Sequence, residues 1–227
     1  MARLARIVVP GIPHHVTQRG NRRQPVFLRD GDYRAYLAIL KEHVAQAAVP
    51  VLAWCLMPNH VHLILVPPTE DSLRAALAEA HRRYSRMINQ REGWRGYLWQ
   101  GRFASCPMDE AHTVAACRYV DLNPVRAGLV DRAEDWPWSS ARTHLGGADD
   151  GLTHQVQFGQ SPESWAALLA AGLDRPALAA IRRGERTGRP LGDPDFVARL
   201  EAATGRTLAR RKPGPKPAAG QLSIVSL

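Results

Sequence analysis

His60-Val61-His62 lies in an apolar run, with Leu56-Met57 before it and Leu63-Ile64-Leu65-Val66 after it. An extended strand alternates its side chains between two faces, so His60 and His62 point one way and Val61 the other. Two imidazoles on one face of a buried strand cost free energy unless something satisfies them. A divalent metal ion bound through ring nitrogens would do so. Hydrogen bonds inside a core would do so equally well, and the spacing alone does not separate the two. A second pair is Tyr119 and Asn123, which sit at i and i+4 on a segment patterned as a helix and so share a face. An asparagine carbonyl oxygen is a competent ligand for a hard cation, and a phenol one turn from such an ion is a candidate nucleophile. On spacing alone, a packed aromatic is the plainer account of Tyr119. Among the other tyrosines, Tyr84 is followed at i+4 by Ile88, which cannot ligate, and Tyr33 and Tyr36 lack polar partners at a useful spacing.

These residues need elements to hold them. Residues 12–20 alternate as a strand, and 30–47 carry an amphipathic stripe of Tyr33, Leu37, Leu40 and Val44. A strand over 51–56, a turn at Met57-Pro58-Asn59 and a strand over 60–66 form a hairpin. Asp71 or Ser72 caps a second helix through Leu73, Leu77, Ala80, Tyr84 and Ile88. Residues 97–103 are short, aromatic and strand-like. Asp109 and Glu110 open a third helix, with Val114, Cys117, Tyr119 and Leu122, which ends near Asn123-Pro124 because proline disfavours helix at the preceding residue. This order is the split β-α-β arrangement of a ferredoxin-like α+β domain, an antiparallel sheet with helices mainly on one face. After a glycine-rich linker at 146–151 come helical patterns at 165–171, 176–183 and 194–203. The expected division is a domain over 1–145, a helical accessory region over 146–208, and a basic, proline-rich flexible tail over 209–227.

The formal charge of +9 points to nucleic acid as partner. An arginine-rich composition from a GC-rich genome would give the same charge without such a partner. Cys55, Cys106 and Cys117 are an odd number with no CxxC, which argues against a disulfide framework or a cysteine zinc site. No apolar stretch is long enough for a signal peptide or a membrane span, so the expected location is the cytoplasm, with nucleoid association when DNA is bound, and no membrane partner.

Three ordered motifs make the chain recognisable: 53–64 around Met57-Pro58-Asn59-His60-Val61-His62, then Leu98-Trp99-Gln100-Gly101-Arg102-Phe103, then 119–130 beginning Tyr119-Val120-Asp121-Leu122-Asn123-Pro124. Together with His14-His15-Val16-Thr17-Gln18-Arg19-Gly20-Asn21 and Trp136-Pro137-Trp138-Ser139-Ser140, they resemble the single-tyrosine HUH transposases, and within them the REP-associated tyrosine transposases. The likeness covers about residues 5–145. It implies the HUH endonuclease fold, a divalent metal (Mg²⁺ or Mn²⁺) on His60, His62 and Asn123, and Tyr119 as the nucleophile. The implied substrate is single-stranded or hairpin-forming repeat DNA, cut through a covalent 5′-phosphotyrosine. Monomers and homodimers both occur among relatives. The alternatives are a non-catalytic hairpin-binding protein or repressor that has kept the fold, and a metal hydrolase using activated water.

Candidate phosphate contacts are Arg22, Arg23, Arg82, Arg83, Arg86 and Arg126. Trp99, Gln100, Arg102 and Phe103 are candidates for stacking on or bonding to unpaired bases, with core packing an equal account of Trp99 and Phe103. Arg210, Arg211 and Lys212 in the tail, together with arginines of the accessory region, suggest further DNA contacts. Truncation after Leu208 is expected to weaken hairpin DNA binding and flatten its salt dependence, measured as affinity across a salt series. Equal affinity at low and moderate salt would refute a role for the tail.

Overall fold

The computed structural model describes residues 6–154 and 160–209. Strand β1 (His14–Arg19) leads into helix α1 (Asp30–Gln46), strands β2 (Val51–Met57) and β3 (His60–Leu65), helix α2 (Ser72–Glu92) and strand β4 (Ala104–Pro107). The sheet order is β2-β3-β1-β4 and every pairing is antiparallel. This is the ferredoxin-like α+β arrangement expected from the order of elements. Strands β2 and β3 are joined by Pro58-Asn59 alone, and Met57 pairs with His60 and Cys55 with His62.

The fourth strand lies later than the aromatic pattern suggested. Residues 97–103 contribute only an isolated bridge between Trp99 and Gly20. The strand starts at Ala104, which pairs with Thr17. Gly101, at φ +71°, takes a left-handed conformation that breaks the extended chain. Two of the aromatic residues that imitated a strand, Trp99 and Phe103, are instead buried in the core, and Trp99 packs near Tyr36, His81 and Tyr84.

Strands β2 and β3 read as continuous apolar runs because both sheet faces are covered. On one face Val16, Trp54, Leu56, Val61, Leu63 and Leu65 pack with α1 and α2. On the other, Cys55, Met57, Ile64 and Cys106 meet helix α3 (Glu110–Asp121) and helix α7 (Arg175–Thr187). Helix α3 gives way at Leu122 to a further turn, α4 (Asn123–Arg126), so Pro124 ends one helix and sits at the start of the next. Short α5 (Ala141–His144) and helix α6 (Pro162–Ala170) precede α7, and α8 (Pro194–Thr204) packs Phe196 and Leu200 against Ile7 and Val9. The helices α6, α7 and α8 each start with an N-cap side chain, Ser161, Asp174 and Asp193, and a proline in the first turn.

Helix α3 is tied down by a buried carboxylate. Asp121, fully buried, accepts hydrogen bonds from Ser140 Oγ at 3.0 Å, His144 Nδ1 at 2.7 Å and Trp165 Nε1 at 3.0 Å. His144 Nε2 reaches the Leu52 carbonyl at 2.9 Å, so both ring nitrogens face acceptors, an arrangement that favours the imidazolium. Burial opposes that charge, but Asp121 and the Leu52 carbonyl outweigh it and raise the His144 pKa. The pair therefore stabilises the fold fully below the unfolded histidine value of about 6.5 and stops doing so as pH rises through the higher folded value. Asp121→Ala, which strands three buried donors, is expected to cost about 3–5 kcal/mol in urea unfolding. His144→Gln should fall short of wild type in acid and approach it in alkali. A constant gap across pH would refute the charged pair.

Candidate active site

The pairing of β1 with β3 assembles the site. Thr17 is opposite His62 and Arg19 opposite His60, so His15, two residues back on the same face, lies diagonally beside His62. The His60 and His62 ring centroids are 4.8 Å apart, those of His15 and His62 5.2 Å. His15 Nε2 and His62 Nδ1 share a hydrogen bond of 2.9 Å. His60 Nδ1 is bonded to the Asn59 side chain at 2.6 Å.

Helix α3 lays Tyr119 across these rings, edge-on, at 5.7 Å from His62 and 5.9 Å from His15. The Arg126 guanidinium stacks 3.8 Å from the centre of the Tyr119 ring. The same guanidinium donates to Asn123 Oδ1 at 2.6 Å and to the Tyr119 carbonyl at 2.7 Å. Asn123 keeps a second lone pair on Oδ1, while its buried Nδ2 has no hydrogen-bond partner among the described residues. From α7, Glu185 Oε1 stands 3.5 Å from His62 Nδ1 and 3.8 Å from His15 Nε2. Glu185 and Arg182 also act on the Tyr119 phenol through their charges, with opposite signs.

Burial governs the protonation states. It pushes the His60 pKa down to about 4, with Arg19 and Arg126 adding to the effect, and His15 down to about 3. His62 falls well below the usual histidine range for the same first reason, with His60 and His15 adding their repulsion. The three rings are therefore neutral near pH 7, the form that offers a lone pair to a metal. Burial, helped by Glu185, raises the Tyr119 pKa, and Arg126 and Arg182 only partly offset this.

His60, His62, Tyr119, Asn123 and Arg126 come together; the other candidates do not join them. Arg22 and Arg23 are exposed just after β1, both at positive φ. Arg82, Arg83 and Arg86 lie exposed on α2, which packs on the opposite face of the sheet from Tyr119, and the first two are engaged with Glu79 and Glu42. Trp99 is only 6% exposed, so its face is spent on the core, whereas Gln100 and Arg102 are exposed beside it. Arg210, Arg211 and Lys212 lie outside the described residues. The exposed aromatics of this region are Trp94 and Tyr97, which sequence reasoning passed over. It also passed over His15 and Glu185. The adjacent His14 and His15 were a faint signal; Glu185, within a run of arginines, gave none.

The family model described as "Transposase IS200 like" matches residues 8–123, a stretch that holds His60, His62 and Tyr119 and ends on Asn123. The chain belongs to the IS200-like transposase family. This bears out the likeness carried by the three motifs. Among curated proteins, this chain is 27% identical over 100 residues to a protein of Haemophilus influenzae provisionally described as a REP-associated tyrosine transposase, covering 39% of this chain and 57% of the relative. It is 27% identical over 89 residues to the REP-associated tyrosine transposase of Escherichia coli K12, covering 39% of this chain and 52% of that one. The chain thus spans about half the length of the curated relatives it matches. In fold it is similar to a REP-associated tyrosine transposase solved bound to a REP hairpin, with TM-score 0.53 and 22% identity over 68% of this chain and 89% of that one. Glu185 lies beyond the matched family stretch.

What brings α7 close enough for Glu185 to reach the histidines is Gly184. A Cβ there would lie 2.7 Å from Cys106 Sγ and 2.9 Å from a Leu191 methyl. Gly184→Val is expected to push α7 off β4, lower stability by about 1–3 kcal/mol and open α7 to limited proteolysis. Wild-type stability with α7 still protected would show that the close approach is dispensable.

Proposed function

We propose that this chain is a metal-dependent enzyme that nicks and rejoins single-stranded, hairpin-forming DNA through Tyr119. The observation that carries the reading is the placement of the Tyr119 ring edge-on against His62 and His15, with Arg126 stacked on it. A packed aromatic needs neither neutral imidazoles on one side nor a guanidinium on the other.

His60, His62 and Asn123 would hold the ion: two neutral imidazoles and an amide oxygen with a lone pair to spare are a fitting donor set. A divalent cation such as Mg²⁺ or Mn²⁺ held there would supply positive charge against the negative charge that builds on the scissile phosphate. The Tyr119 oxygen attacks phosphorus, the bond to the 3′ oxygen breaks, and the tyrosine is left joined to the 5′ phosphate. The phenol loses one proton and the departing oxygen gains one, leaving a free 3′ hydroxyl. One phosphodiester bond is exchanged for another, so a returning 3′ hydroxyl reverses the step without ATP. Arg126, stacked on the Tyr119 ring, and Arg182, whose charge favours the ionised phenol, stabilise negative charge on its oxygen as the proton leaves.

The DNA reading rests on the basic chain, on family membership and on the hairpin bound by the similar structure. Exposed Trp94 and Tyr97, with Arg95 between them, are better placed than buried Trp99 to stack on unpaired bases. The test uses labelled single-stranded hairpin DNA with Mn²⁺ or Mg²⁺. A denaturation-resistant protein–DNA species should form with wild type, and Tyr119→Phe should lower its yield about a thousandfold or more while leaving DNA affinity unchanged. Cleavage without an adduct would favour hydrolysis by activated water, and binding with no cleavage would favour a hairpin-binding repressor.

A further inference from the structure

A ligating imidazole is neutral, with a lone pair on one ring nitrogen and the proton on the other. Which nitrogen keeps the lone pair is set by the hydrogen bond the other one makes, so the group behind a ligand histidine decides how it meets an ion. His62 Nδ1 faces His15 Nε2 at 2.9 Å, and a second imidazole can donate or accept, so that bond leaves the position of the His62 proton open. His60 is different. Its Nδ1 lies 2.6 Å from Asn59 Oδ1, and an amide oxygen only accepts. Nδ1 must therefore carry the proton, and Nε2 is left with the lone pair.

This requires the Asn59 amide to aim its oxygen, not its nitrogen, at the ring. A second bond fixes that orientation: Asn59 Nδ2 donates to the Arg23 carbonyl at 3.0 Å. Turning the amide over would set its oxygen against that carbonyl and aim N–H groups at His60. The chain reaches this geometry through an unfavourable backbone. Arg22 and Arg23 both take left-handed conformations, at φ +52° and +62°, which residues with a Cβ rarely adopt. Strain of this kind persists only where the surroundings hold it. Here the turn is pinned to the hairpin on both sides. The Gly20 N–H donates to the Asn59 carbonyl at 2.8 Å, and the Val26 N–H to the Pro58 carbonyl at 2.8 Å. Gly20 lets the chain double back so closely, since a Cβ there would lie 2.3 Å from the Gln24 carbonyl oxygen and 2.8 Å from a Val26 methyl.

We propose that Asn59 is a positioning residue of the metal centre: held by the turn at Asn21–Arg23, it fixes the His60 proton on Nδ1 and so presents Nε2 to the ion. The inference rests on the metal-dependent reading above and keeps its ligand set. It also gives the strained turn after β1 a task separate from the phosphate contacts expected of its two arginines, because the turn acts here through a main-chain carbonyl.

The experiment reads the proton directly, in the full chain without metal or DNA. With ¹⁵N-labelled histidine, two-bond ¹H–¹⁵N correlation spectra distinguish an Nδ1–H ring from an Nε2–H ring, and His60→Ala identifies the His60 signal. Wild type should show His60 with its proton on Nδ1. Asn59→Ala should move that proton toward Nε2 and weaken Mn²⁺ binding about tenfold or more, with free Mn²⁺ counted by electron paramagnetic resonance and circular dichroism reporting folding. Asn59→Asp, which keeps an acceptor oxygen, should hold the proton on Nδ1. A wild-type ring with its proton on Nε2 would overturn the assignment, and so would Asn59→Ala with the tautomer and Mn²⁺ affinity of wild type. If His60→Ala still weakens Mn²⁺ binding in that case, the metal-dependent reading stands without Asn59. Absence of saturable Mn²⁺ binding in wild type would refute the metal-dependent reading and the assignment together.

Discussion

The register of β1 against β3 is the constraint on which the site depends. With Thr17 opposite His62, the imidazoles of His15, His60 and His62 emerge on one face of the sheet within contact of one another. A slip of one residue in β3 would turn His60 and His62 toward α1 and α2, and bring Val61 and Leu63 to the face that meets Tyr119. Such a slip would place polar rings in the larger apolar cluster and leave them unpaired, so the hydrophobic pattern and the chemistry enforce the same register. The short turn at Pro58-Asn59 fixes the hairpin, and the Asn59 side chain adds a bond to His60.

A face of histidines does nothing without a helix at a defined height above it. Asp121 sets that height. Two residues after Tyr119, it gathers donors from the loop before α5, from α5 itself and from α6, while Ser140 also bonds the backbone of Trp54 in β2. Helix α3 is therefore anchored on one side to the sheet and on the other to the elements that follow it. A buried carboxylate with three donors is costly to break, and it supplies direction that apolar packing between α3 and β2 lacks.

The electrostatics of the site follow from dryness more than from charge. Arg19, Arg126 and Arg182 surround the histidines and the phenol, yet burial leads every resolved shift among these groups: imidazoles stay neutral and the phenol stays protonated. In low-dielectric surroundings each of these groups is held in its uncharged form until a strong countercharge arrives. A phosphodiester and a divalent ion would bring charges of both signs into that space together.

The sequence by itself determined much of this. The order and type of the longer helices and of β1 to β3, the pairing of His60 with His62 on one face, and the sharing of a face by Tyr119 and Asn123 were legible because each follows from a local period of two or 3.6 residues. The fourth strand was misplaced because Trp99 and Phe103 have a strand's composition and a core's destination. His15 and Glu185 were hidden for a different reason. Each reaches the site through a contact between distant segments, β1 with β3 and α7 with β4, and no local period encodes which residue a neighbouring element will present. Tertiary structure alone decided that Arg126 stacks on the tyrosine and that Glu185 closes the group of histidines, since both depend on how closely packed surfaces can approach.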